Sequence, residues 1–113
     1  MASAQPPQEG PIGSELIRED PSYTDIVVQF VDGLKDRLTT MESAIRAANF
    51  DALRVAAHQL KGSGGGYGYP VLTEQAATLE KLAKEHAIEQ CTDALSELQE
   101  ICSRVVVSSD SEA

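Results

Sequence analysis

Apolar residues recur along most of this chain every three or four positions, the spacing of a helix with one buried face. Ile26, Phe30, Leu34, Leu38, Met41 and Ile45 form the first such stripe and predict one long helix. Asp20 can cap it, Pro21 suits its first turn, Asp25 lies near the positive end of its dipole, and Asn49 ends it. A second helix begins near Asp51, with Leu53, Ala56, Ala57 and Leu60 on one face. Pro70 marks a third start, followed by Leu72, Ala76, Leu79, Leu82 and Ala83 at helical spacing. A fourth carries Ile88, Cys91, Leu95, Leu98, Ile101 and Val105. A short segment, Ile12 to Glu19, precedes them all. The connections are short, which favours antiparallel neighbours. The expected fold is all-α: an antiparallel up-and-down four-helix bundle over residues 12–105, with a short extra N-terminal helix. Residues 1–11 and 106–113, rich in Pro, Gln, Gly, Ser and acidic residues, are expected to be flexible tails.

The composition agrees with that picture and narrows it. At 113 residues the chain fits one small domain, with no space for a kinase or nucleotide-hydrolase domain beside it. Aromatics are only 4% of residues and Trp is absent, so Leu, Ala, Ile and Val must build the core, which suits helices. The net charge of −9 argues against a nucleic-acid backbone or an anionic membrane as partner. No stretch approaches the ~20 apolar residues of a membrane span, and the N-terminus lacks the pattern of a secretory signal. The expected compartment is the cytoplasm. On one helix, Cys91 and Cys102 would stand about 16 Å apart, too far to form a disulfide with each other.

The second helix carries the chemistry. With Leu60 as the zero of a helical wheel, Leu53, Ala56, Ala57, Gly64 and Tyr67 fall within about 60° of it. His58 lands about 160° away, facing solvent. Gly62 and Gly65 share its side, and Arg54 and Lys61 flank it. Gly62, Gly64, Gly65, Gly66 and Gly68 crowd the next turns, although each glycine inside a helix costs roughly 1 kcal/mol relative to Ala. Either GSGGGYG is a flexible linker, or glycine is there because something approaches the backbone closely. Close approach is the better reading, since a linker would leave a marginally short helix and waste Tyr67, in phase with Leu53 and Leu60. Gly62 and Gly65 would then clear a shelf beside His58. The run is no P-loop, because Lys61–Gly62 reverses the required Gly-Lys order, and no strand precedes it as a dinucleotide fingerprint would need.

A neutral imidazole nitrogen is a competent nucleophile at physiological pH. No Ser or Cys is evidently paired with His58 for acyl transfer, and no Glu-x-x-His pair offers a metal site. His86, near a helix end, reads as a solvated residue. Phosphoryl transfer is the most economical chemistry left, with Lys61 one turn on and Arg54 one turn back to offset a phosphate. A helical adaptor that docks a partner through its Gly-rich face without phosphorylation remains the alternative.

At these residues the sequence resembles the histidine-containing phosphotransfer (HPt) domain family of two-component phosphorelays. Ala57 to Gly68, AHQLKGSGGGYG, is similar to the family's AHxLKGxxxxxG signature, and the resemblance spans roughly Tyr23 to Ser103. It implies that His58 is the phosphoacceptor, that Lys61 steadies the phosphate, and that Gly62 admits a receiver domain. Gly68 matches the glycine that ends the motif, and Leu79–Glu80 resembles the Leu-Glu pair of the next helix. Glu80 and Lys84 carry over as neighbours of the histidine, Lys84 as a further phosphate contact and Glu80 as an acceptor for the imidazole. The resemblance further implies a monomeric carrier rather than an autonomous enzyme. Its partners would be receiver domains that bring their own Mg²⁺, with a hybrid histidine kinase as a further candidate.

Overall fold

In a computed structural model residues 10–108 are described, and they are almost entirely helical. The elements are α1 (Glu15–Glu19), a 3₁₀ turn (Pro21–Tyr23), α2 (Thr24–Asp32), α3 (Leu34–Arg46), α4 (Phe50–Gly64), α5 (Pro70–Lys84) and α6 (Ile88–Arg104). From α3 to α6 each helix packs on the next, and α3 also packs on α6, which closes a ring. Its interior is filled by Leu34, Met41 and Ala44 of α3, Leu53, Ala57 and Leu60 of α4, Leu72, Ala76, Leu79 and Ala83 of α5, and Cys91, Leu95 and Leu98 of α6. Among the described residues no helix is long and apolar enough to cross a membrane.

The long first helix expected between Asp20 and Asn49 is in fact a 3₁₀ turn and two helices. Asp20 does cap, accepting from Ser22 N at 3.0 Å, but it caps the 3₁₀ turn. Gly33 stands between α2 and α3, where a residue without Cβ holds helical geometry least firmly. In α2 the buried side chains are Val27 and Phe30, and Ile26, about 100° round the helix from Val27, is exposed. α3 stops at Arg46, and Asn49 instead caps α4 by accepting from Ala52 N at 3.0 Å. Such a cap contributes about 1 kcal/mol.

Ile12 is not helical. It forms a parallel bridge with Val105, and the pairing continues past the expected boundary: Val106 N donates to Ile12 O, and Ser14 N to Val107 O. Residues 106–108 are therefore part of the packed structure, held because backbone groups of the two chain ends satisfy one another. The tail expectations for 1–9 and 109–113 fall outside the described residues. This clasp also seizes the turn after α4. Ser14 Oγ donates to Tyr67 O at 2.7 Å, Glu15 N donates to Gly68 O at 2.9 Å, and the buried Tyr69 hydroxyl donates to Val106 O at 2.7 Å. Phe30 of α2 stacks on Tyr67 at 4.6 Å and on Tyr69 at 5.9 Å between ring centroids. The end of α4 is thus fastened from three directions.

Candidate functional site

α4 turns Leu53, Ala57, Leu60 and Gly64 into the core, so His58 must face outward, and its side chain is 63% exposed. Beside it on α5 lies Glu80, a carboxylate buried apart from a few per cent of its surface. An ionised group there is tolerable only with close polar partners, and Glu80 has three, two ammonium groups and an imidazole. Its Oε1 pairs with Lys61 Nζ at 2.8 Å, and its Oε2 lies 3.0 Å from His58 Nδ1 and 3.9 Å from Lys84 Nζ. The Lys61 hydrogen bond, followed by the His58 bond and both charges, outweighs burial and holds the Glu80 carboxyl below the usual carboxylate range.

An ionised carboxylate can only accept, so the proton of the His58–Glu80 bond belongs to Nδ1. The neutral ring is therefore held as the Nδ1–H tautomer, and the lone pair on Nε2 is free for chemistry at the surface. Expected as an acceptor for the imidazole, Glu80 is the residue on which His58, Lys61 and Lys84 converge.

Two expected site residues stand elsewhere. Arg54 Nη2 is paired with Asp51 at 3.0 Å in the first turn of α4 rather than with Glu80. Arg54 and Asp51 are a turn apart on one helix, so this local pairing is the easier one. Gly65 does not form part of an open shelf: a Cβ there would lie 3.2 Å from Thr73 Oγ1 of α5. Gly62 is the open one, with nothing within 4 Å of where its Cβ would be. Gly64 admits α5, since its Cβ would stand 2.9 Å from Leu72 Cβ. Gly68 has φ +96° and would drive a Cβ into Ser14 Oγ and the backbone of α1.

Thr73 was not singled out by sequence reasoning. Its hydroxyl accepts from Gly65 N at 2.7 Å and donates to Lys61 O at 2.8 Å, closing off the end of α4. The same contact fixes the backbone of Lys61, whose ammonium reaches Glu80. No periodicity flags Thr73, because its partners depend on how closely α5 approaches α4. His86, expected to be merely solvated, is exposed but stacks on Phe50 with centroids 4.5 Å apart and planes 7° from parallel. Both cysteines are free, and burial pushes the Cys102 thiol up to about 11, which makes it a poor nucleophile at neutral pH. Among the described residues no group of three or more His, Cys, Asp or Glu side chains could hold a metal ion.

Comparison with known proteins agrees with this geometry at the level of family. Searches of curated proteins and of solved structures returned no match. The Hpt domain family matches residues 25–107, from the first turn of α2 to the strand-like clasp at Val107, and includes every residue of the His58–Glu80 cluster. With well over half of its length matched, the chain belongs to the Hpt domain family.

Proposed function

We propose that this chain carries a phosphoryl group on His58 between the aspartates of receiver domains in a two-component phosphorelay. Membership of the Hpt domain family places it in two-component phosphotransfer in general. The observation that carries the finer reading is the bond from His58 Nδ1 to the ionised, buried Glu80, which leaves Nε2 as the exposed nucleophile. In the forward step the Nε2 lone pair forms an N–P bond while the P–O bond of an aspartyl phosphate breaks, and aspartate departs as carboxylate. The ring keeps its Nδ1 proton and becomes a cationic phosphoimidazolium, whose charge Glu80 offsets at 3.0 Å. Lys61 and Lys84, both on Glu80 in the resting state, would turn to the new phosphate and offset its charge. The second transfer is the reverse of the first with a different aspartate.

Gly62, with open space above it, lets the partner's backbone come close to the helix. The receiver supplies the Mg²⁺ and most of the stabilisation of the transferring group. The chain is a carrier with no kinase or phosphatase activity of its own, acting as a cytoplasmic monomer on receiver domains and, upstream, on a hybrid histidine kinase. The ring of α3 to α6, each helix packed on the next, supports an up-and-down four-helix bundle as its scaffold. Incubation with a labelled, phosphorylated receiver domain tests the reading. Acid-labile, base-stable label is expected on the wild type and absent from His58→Gln. Receiver binding with no label on the wild type would favour the adaptor instead.

A further inference from the structure

One turn before His58 on α4, the structure opens into a surface cavity of about 430 Å³. Its lining includes Arg54 and Asp51 of α4, Lys84 of α5, Phe50, Ala48 and His86. Among the described residues, Ala48 and His86 are the two non-glycine residues with left-handed backbone, at φ +51° and +57°. Glycine is the residue that usually fills such positions after a helix. Here a side chain is retained at both, and both face the same cavity. The His86 ring is held in place by its stacking on Phe50.

The basic groups of this cavity are only lightly engaged. Asp51 takes one contact from Arg54, through Nη2, and a guanidinium has five N–H donors. Lys84 meets Glu80 at the long distance of 3.9 Å, with three donors to share. Against the one carboxylate of Asp51, the wall thus sets a guanidinium, an ammonium and an imidazole, in a chain whose net charge is −9. A guanidinium fork with an ammonium beside it is suited to a carboxylate. In a chain of net charge −9, an acidic group gains most where basic side chains gather in this way.

We propose that this cavity receives a carboxylate side chain of the receiver domain that docks on His58, and so orients the receiver's aspartate on Nε2. Arg54 thereby serves the partner rather than the phosphate. The proposal rests on the phosphocarrier reading, so its test begins by separating the two. Wild-type protein is treated with phosphoramidate, which needs no docking, and label on His58 establishes that the histidine is a competent acceptor. Receiver domains of the source organism are then titrated into the labelled-side-chain wild type and followed by NMR.

Addition of a receiver that exchanges phosphate with His58 is expected to shift the Arg54 Nε–H and His86 ring signals. Its affinity should fall about ten-fold in Arg54→Gln and about three-fold in His86→Asn, and the loss should shrink as salt is raised. Asn tolerates the left-handed backbone at position 86, so this variant stands even if the other disturbs α4. If phosphoramidate labels His58 but no receiver shifts these signals, or both variants bind as the wild type does, the proposal falls. Shifts produced by inorganic phosphate and not by a receiver would assign the cavity to a free anion and would equally overturn it. Failure of phosphoramidate to label the wild type would strike the phosphocarrier reading itself, and the proposal with it.

Discussion

Gly62 and Gly68 belong to one glycine-rich run, yet their surroundings are opposite. Above Gly62, on the face of α4 that carries His58, there is open space, and the helix would accept a methyl group without a clash. At Gly68 the backbone is left-handed, and Ser14, Glu15 and Leu16 press on the position where a side chain would begin. One glycine is absorbed by the fold. The other has no packing reason to be glycine, and its cost in helix propensity points to an approaching partner. The composition of the run shows neither role. The difference comes from α1 and the C-terminal segment, which fold back on the turn after α4 and leave Gly62, before that turn, bare.

Substitutions should pull these two ends apart. The largest effect is expected from Gly68→Ala, which combines a strained backbone with a collision against α1 and should cost about 3 kcal/mol or more in urea unfolding. Stability within 1 kcal/mol of wild type would mean that the clasp yields easily. Tyr69→Phe leaves the Val106 carbonyl without its donor in the same clasp and should cost about 2 kcal/mol. It also has a pH signature. Burial pushes the Tyr69 phenol up to about 12, against an ordinary value near 10. The folded state therefore resists ionisation that the unfolded chain accepts, and stability is full below about pH 10 and lost as pH rises towards 12. That alkaline loss should be smaller in Tyr69→Phe.

Gly62→Ala should act in the other direction on stability, raising it by about 1 kcal/mol through helix propensity alone. Transfer from a phosphorylated receiver should nevertheless slow several-fold, because the methyl group stands where the partner approaches. A slower transfer with unchanged or higher melting temperature sharpens the contrast with Gly68, and unchanged transfer breaks it. The smallest effect is expected beneath the open face. Glu80→Gln keeps an acceptor for Nδ1 but loses the charge that offsets the phosphoimidazolium, a difference of about 1 kcal/mol, or several-fold in transfer rate. In the wild type the depressed Glu80 carboxyl contributes stability above the ordinary carboxylate range, lost as pH falls through its lower folded value. Glu80→Gln should lack that acid limb.

The helical stripes of α4, α5 and most of α6 were legible because each buries a single face, and that face repeats in the sequence. His58 was legible for the same reason, as the pole opposite Leu60. The break at Gly33 was not, since Phe30 and Leu34 are both buried and the stripe runs on across it. The clasp was invisible too, because one bridge between Ile12 and Val105 has no period to detect. Lys61 and Lys84 were readable as neighbours of the histidine, but not the way Glu80 joins them, which depends on the register of α5 against α4. For Arg54 the sequence showed the position but not the pairing. It is placed one turn from His58 as expected, and its guanidinium turns instead to Asp51.

The central claim is that Glu80 holds the Nδ1 proton and so leaves Nε2 to take the phosphate. It is tested most directly by ³¹P and ¹⁵N NMR of the ¹⁵N-histidine-labelled protein after phosphorylation by a receiver domain. The account predicts a single phosphohistidine, at residue 58, with phosphorus coupled to Nε2 and the proton retained on Nδ1. Phosphorus on Nδ1, or on His86, would contradict it.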